Sequence, residues 1–155
     1  NFPLKTKEGE YSRPYECKIA TEMNFIVAAD RYINRLEIYK LSDQKFQLNT
    51  IIGDANNQYD LYRLNKDNEM ILHYSDIVCG KNQIYALYRG VKEKELSSAN
   101  SKIEVYSYDG THLRTFDLGR SIEKILVDES SMRIYAFDRN EEKDIVFCYA
   151  IESNT

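Results

Sequence analysis

The residue set with the most suggestive spacing is a trio of arginines. Arg31, Arg89 and Arg139 each stand five positions after an isoleucine, Ile26, Ile84 and Ile134, at the end of a strand-forming run. Strand alternation puts each arginine on the side of Val27 and Ala29, Tyr85 and Leu87, or Tyr135 and Phe137. Repeated round one rim, three guanidiniums would present planar forks to an anionic ligand. The competing reading is local: each arginine pairs with an acidic neighbour, such as Asp30 or Asp138, and pins its own hairpin.

Other chemistry is sparse. The two histidines, His73 and His112, have no Cys, His or carboxylate partner at metal-ligand spacing. Asn65, Asp67 and Glu69 alternate like the start of a calcium loop, but Met70 stands where the loop needs glycine and no glutamate closes it. Asp128-Glu129 and Glu141-Glu142 fall at expected hairpin tips, where acidic residues are ordinary turn formers. A Ser-His-Asp triad is a spatial arrangement that spacing does not test, but the Gly-x-Ser-x-Gly elbow is missing, as are phosphate and dinucleotide loops. No cofactor or metal is expected.

The three cysteines, Cys17, Cys79 and Cys148, are too few and too far apart for a disulfide framework and form no CxxC pair. Each lies in an apolar run and is expected to be a small buried hydrophobe and a free thiol. The net charge of −4 is interspersed. That argues against a nucleic-acid partner, which needs a basic stripe, and against an anionic membrane surface. No apolar run reaches the roughly 18 residues of a transmembrane helix. No signal peptide is visible, and the chain begins with Asn1 rather than Met. A removed leader or a fragment is the expectation.

The elements that would position these residues are strands. In 155 residues there are 13 tyrosines and no tryptophan, and helical periodicity is scarce. Short β-branched and aromatic runs recur in fours. The first set spans residues 15–54, the second 74–119, and the third, with three runs, 121–152. Residues 55–73 form a decorated connection, with Leu61, Tyr62 and Leu64 able to make a helical turn. Val91 to Ser101 is a charged insertion, carrying Lys92, Glu93, Lys94 and Glu95, expected to be mobile and solvated. Asp109-Gly110-Thr111 marks a tight turn.

The second runs align as Ile26-Val27-Ala28-Ala29-Asp30-Arg31, Ile84-Tyr85-Ala86-Leu87-Tyr88-Arg89 and Ile134-Tyr135-Ala136-Phe137-Asp138-Arg139. The third runs align as Leu36-Glu37-Ile38-Tyr39, Ile103-Glu104-Val105-Tyr106 and Ile145-Val146-Phe147-Cys148. Four strands repeating every roughly 40–60 residues is the pattern of propeller blades, with a β-sandwich as the alternative. The fold class is therefore all-β: a propeller-type array of about three four-stranded antiparallel blades in one domain.

Ile84-Tyr85-Ala86-Leu87-Tyr88-Arg89-Gly90, Ile103 to Gly110, Ile125-Leu126-Val127-Asp128 and Ile134-Tyr135-Ala136 resemble the TolB-like six-bladed propeller family, in its C-terminal half. The resemblance implies an extracytoplasmic address, in the periplasm or as an outer-membrane lipoprotein. It carries over no reaction and no catalytic residue. It also implies half a ring with two uncovered blade faces, closed by a missing N-terminal half or a homo-oligomer. The incomplete third set is expected to borrow a strand from elsewhere, with Phe2 to Thr6 of another copy a candidate. The function expected is a non-enzymatic binding or scaffold module for an unknown ligand or protein partner, built on rim loops. The alternative is a propeller hydrolase, lyase or lactonase whose site lies partly in a missing half.

Overall fold

In the computed structural model, residues 17–54, 61, 66–140 and 143–151 are described, and all statements below concern them. They form three antiparallel sheets. Blade 1 is β1 (Cys17–Glu22), β2 (Phe25–Asp30), β3 (Arg35–Ser42) and β4 (Lys45–Gly53). Blade 2 is β5 (Ile71–Cys79), β6 (Gln83–Lys92), β7 (Lys102–Ser107) and β8 (His112–Asp117). Blade 3 is β9 (Lys124–Asp128), β10 (Arg133–Asn140) and β11 (Lys143–Ala150). Within each sheet every strand pairs with its neighbour in sequence. The first strands of successive blades lie side by side, β1 by β5 and β5 by β9, as at the axis of a propeller.

Period-two patterning explains the stacking. In β3, Leu36 and Ile38 are fully buried, while Glu37 and Tyr39 on the other face are only partly covered. β10 behaves likewise, burying Ile134 and Ala136 and leaving Phe137 exposed. In β6, Ile84, Tyr85, Ala86 and Leu87 are all buried, because the middle blade is covered on both faces. Two cores result. Val27, Ala29, Leu36 and Ile38 of blade 1 meet Tyr74, Ile77, Ile84, Ala86 and Tyr106 of blade 2. Tyr85, Leu87, Ile103 and Val105, from the opposite face of blade 2, meet Ile125, Ile134 and Ala136 of blade 3. Each such aliphatic side chain contributes about 1.5–3 kcal/mol by leaving water. A side-chain bond crosses between first strands: the Asp76 carboxylate accepts the Ile125 N–H at 2.9 Å.

The turn expected at Asp109-Gly110-Thr111 is present, with Asp109 accepting the Thr111 N–H at 3.0 Å and Gly110 at φ +92°. Only glycine takes that backbone angle without strain. The second strands align as the sequence indicates, since Ala28, Ala86 and Ala136 pair with Ile19, Ile77 and Ile125.

The third runs need a correction. Ile26, Ile84 and Ile134 face Tyr39, Tyr106 and Tyr149, so Val146, not Ile145, is the counterpart of Leu36 and Ile103. A slip of one residue exchanges the two faces of a strand.

Three further expectations change. Cys17 and Cys148 are exposed and only Cys79 is partly buried, although all three are free thiols. Cys17 lies on the first-strand edge of blade 1, and Cys148 lies on the uncovered face of blade 3. The insertion after β6 is tied down rather than loose: β6 itself continues to Lys92, Glu93–Glu95 form a 3₁₀ turn, and Ser101 is fully buried. β5 begins at Ile71, inside the segment read as a connection, because the prolonged β6 pairs Lys92 with Ile71 and Val91 with Leu72. Blade 3 has three strands among the described residues. The expected strand donor Phe2 to Thr6, together with Tyr62, Leu64, Asn65 and Glu141-Glu142, lies outside the described residues.

Candidate functional site

Because consecutive strands reverse direction, the loops fall on two rims. One rim holds short turns: Met23-Asn24, Asp43-Gln44, residues 80–82, 109–111 and 129–132. Met23, Asp43, Gln44 and Met132 adopt positive φ in these tight reversals. The other rim holds the longer segments: 31–34, 93–101, 118–123 and the connection leading to β5.

The long-loop rim is built where blades 1 and 2 meet. Asp30 ends β2 by accepting the N–H groups of Tyr32 and Ile33 at 2.9 and 3.0 Å. Burial raises the Asp30 pKa, and these two bonds oppose the shift. The bend they set lets the Tyr32 hydroxyl donate to Glu93 at 2.6 Å, with Arg31 at 3.9 Å from the same carboxylate. Glu93 also donates its N–H to the Met70 carbonyl at 3.0 Å, and His73 donates its N–H to the Arg31 carbonyl at 2.7 Å. Beside them a 3₁₀ turn, Asp67–Glu69, holds Glu69 between two lysines. Lys92 Nζ lies 2.6 Å from one Glu69 oxygen, and Lys94 bonds the other. Hydrogen bonds from Lys92 and Lys94 bring the Glu69 pKa down to about 2. An open depression of about 750 Å³ adjoins this ledge, lined by Leu61, Lys66, Asn68, Glu69 and Lys92.

Arg89 is the fastening beneath the rim. It is 6% exposed. Nη1 donates to the Ile122 carbonyl at 2.6 Å. Nη2 donates to the Leu96 carbonyl, to Ser121 Oγ at 2.8 Å and to the Ala99 carbonyl at 3.4 Å. One guanidinium therefore joins the insertion after β6 to the strap between blades 2 and 3. Burial lowers its pKa. Ser101 strengthens the same junction, accepting the Ile122 N–H at 2.7 Å and donating to the Ile122 carbonyl at 3.2 Å.

The three sequence-selected arginines stand in different settings. Arg31 sits in the bend after β2, Arg89 inside the prolonged β6, and Arg139 in β10, opposite Asp144. Arg31 lies over the Tyr32 ring and 3.9 Å from Glu93, from the next blade. The Arg89 head is taken up by carbonyls. Arg139 is placed by its backbone alone.

Sequence reasoning missed a second polar cluster, between blades 1 and 2. Glu104 accepts the hydroxyls of Tyr106 at 2.8 Å and Tyr74 at 3.3 Å, and Tyr74 also reaches Asn34 at 3.3 Å. Desolvation, with the nearby Glu104 charge, raises the pKa of both phenols. They are held protonated as donors and are not general bases. Blade 1 repeats the motif, with Tyr39 bonded to Glu37 and its pKa pushed up to about 12 by burial and that bond. Blade 3 replaces the glutamate with Phe147, which stacks under the Arg120 guanidinium at 3.6 Å, while Tyr149 donates to the Leu118 carbonyl at 2.9 Å. The spacing Glu-x-Tyr was the available signal.

The remaining candidates are dispersed. His112 Nε2 lies 2.9 Å from Thr115 Oγ1 on the outer strand of blade 2. His73 lies against Tyr88, and burial lowers its pKa. Among the described residues no group of three or more His, Cys, Asp or Glu side chains is placed to hold a metal ion. Among them, too, no helix is long and apolar enough to cross a membrane. Asp128 is folded into its own turn, accepting from Ser130 and Ser131, and Glu129 reaches blade 2 instead of pairing with it.

No curated protein matches the chain. The TolB-like 6-blade propeller-like family matches residues 15–130, which takes in blades 1 and 2 and the first strand of blade 3. That span and the stacked four-stranded meanders agree, and the chain belongs to the TolB-like six-bladed propeller family.

Proposed function

We propose that the chain is a non-enzymatic binding module that works outside the cytoplasm, with the long-loop rim as its recognition surface. The observation that carries this reading is the charged ledge where two blades meet. Glu69 is clasped by Lys92 and Lys94, Glu93 by Tyr32 and Arg31, and buried Arg89 fixes the loop that bears them. A rigid base carrying exposed polar loops is how propellers and similar scaffolds present a binding surface. The rim carboxylates are engaged in ion pairs and hydrogen bonds, which suits positioning rather than proton transfer. Lys66, Lys92, Lys94 and Arg31 favour an anionic group on the ligand. The extracytoplasmic address rests on family membership.

The test is site-specific photo-crosslinking of the protein in its own host. A photoreactive residue at Asn68 or Lys94 should capture a partner, and one at Met23 or Gln44, on the opposite rim, should not. Adducts from the short-turn rim alone would overturn the assignment. Fractionation of the same cells should recover the protein outside the cytoplasm, and recovery with the cytosol would overturn that part of the reading.

A further inference from the structure

Two residues of β6, Arg89 and Gly90, stand opposite a single residue of β5, because Leu72 pairs with Val91 and Tyr74 with Tyr88. That single residue is His73. A bulge of this kind breaks the ladder locally and re-aims the groups beside it. Here the His73 N–H crosses to blade 1 and donates to the Arg31 carbonyl at 2.7 Å. The imidazole lies against Tyr88, with ring centroids 5.9 Å apart. Gly90, at φ +64°, leaves room for the Tyr88 ring, since a Cβ there would fall 2.6 Å from it.

One imidazole nitrogen, Nδ1, is shut away from water with no hydrogen-bond partner among the described residues. A neutral ring tolerates this, with its proton on Nε2 and a bare lone pair on Nδ1. A protonated ring carries a second N–H at Nδ1, and a buried donor without an acceptor is costly. The charged groups around the ring are engaged elsewhere or act at a distance. Asp54, after β4, reaches it through its charge alone. Arg31 faces Glu93 in the adjoining bend, and Asp30 accepts the Tyr32 and Ile33 N–H groups. β1 brings Cys17 and Lys18 to this end of blade 1, paired with Asp30 and Ala29.

We propose that His73 is a pH-sensitive latch between blades 1 and 2. With the ring neutral, the bend at residues 31–34 stays docked on β5. With the ring protonated, Nδ1–H turns out towards water, the bond to the Arg31 carbonyl breaks and the long-loop rim loosens at the joint. Burial lowers the pKa of His73, against an upward pull from Asp54. The docked value lies below the ordinary 6.5, so the latch is complete above 6.5 and weakens as pH falls from there towards the docked value.

Amide exchange of the whole chain, followed by NMR and corrected for the intrinsic pH dependence of exchange, reads the joint. It needs no ligand, so its outcome is separate from that of photo-crosslinking at the rim. The residue 73 amide should be about tenfold less protected near pH 5 than near pH 7.5. His73→Phe keeps an aromatic ring beside Tyr88 and removes the titration, so it should flatten this dependence. His73→Gln should do the same. His112→Gln, on the outer strand of blade 2, should leave the dependence as it is. The imidazole C2 proton of His73 should titrate below 6.5. Equal protection at the two pH values, a dependence that persists in the His73 variants, or a His73 midpoint at or above the ordinary value would overturn the proposal. So would a residue 73 amide that exchanges no faster than those of β7, since the joint would then open only with the whole molecule.

Discussion

The Glu129 carboxylate occupies the space that a side chain on residue 80 would need. A Cβ on Gly80 would lie 2.1 Å from one Glu129 oxygen. From that position Glu129 accepts the Lys81 N–H at 2.7 Å and the Tyr85 hydroxyl at 3.3 Å, tying the first turn of blade 3 to that of blade 2. Gly80→Ala should therefore cost about 1 kcal/mol, by displacing the carboxylate and losing its bonds. Glu129→Ala should cost a similar amount, and the double variant little more than either alone. Urea unfolding of the four proteins measures the coupling, and simple additivity would show that the two residues act independently.

Arg89 should be the most sensitive polar position among the described residues. Arg89→Met leaves the Ile122 and Leu96 carbonyls with fewer donors in a dry site and should destabilise by about 2–4 kcal/mol. Arg89→Lys should recover little, since one ammonium does not span the insertion and the strap as a fork does. Hydrogen exchange should speed up at residues 93–101 before it does in β7. Unchanged protection in that loop with Arg89→Met would refute the fastening role.

The Glu69 clasp has a defined pH window. Its folded pKa, about 2, lies below the ordinary value of 4.5, so the pairing contributes fully above that ordinary value and is lost as pH falls towards 2. Carboxyl NMR of Glu69 should titrate near pH 2, and Lys92→Ala should move the midpoint upwards. High salt should do the same, because the group is at the surface. A midpoint at the ordinary glutamate value would show that the lysines do not hold it.

The second strands were legible because Ile26, Ile84 and Ile134 begin runs that share alanine two positions on. The third strand of blade 3 was not. Ile145 to Tyr149 is apolar throughout, so no alternation fixes its phase, and the register follows only from Ile134 lying opposite Tyr149. Arg89 was selected for its position but not for its burial, since arginine is seldom placed beneath loops. Cys148 misled for a related reason. It belongs to a face of the kind buried in the other blades, and composition does not show that no described residue covers that face on blade 3. The charged ledge escaped because it joins Tyr32 to Glu93 and Glu69 to Lys92, partners far apart in sequence with no shared motif.

The neighbour-to-neighbour pairing of strands has a kinetic meaning. Each sheet can form from a single continuous stretch of chain, without waiting for a distant strand, which keeps the contact order within a blade low. A ribosome releasing the polypeptide would deliver blade 1 entire before the first strand of blade 2 emerges. Blades should then add one after another, each new one templated by the apolar face already in place.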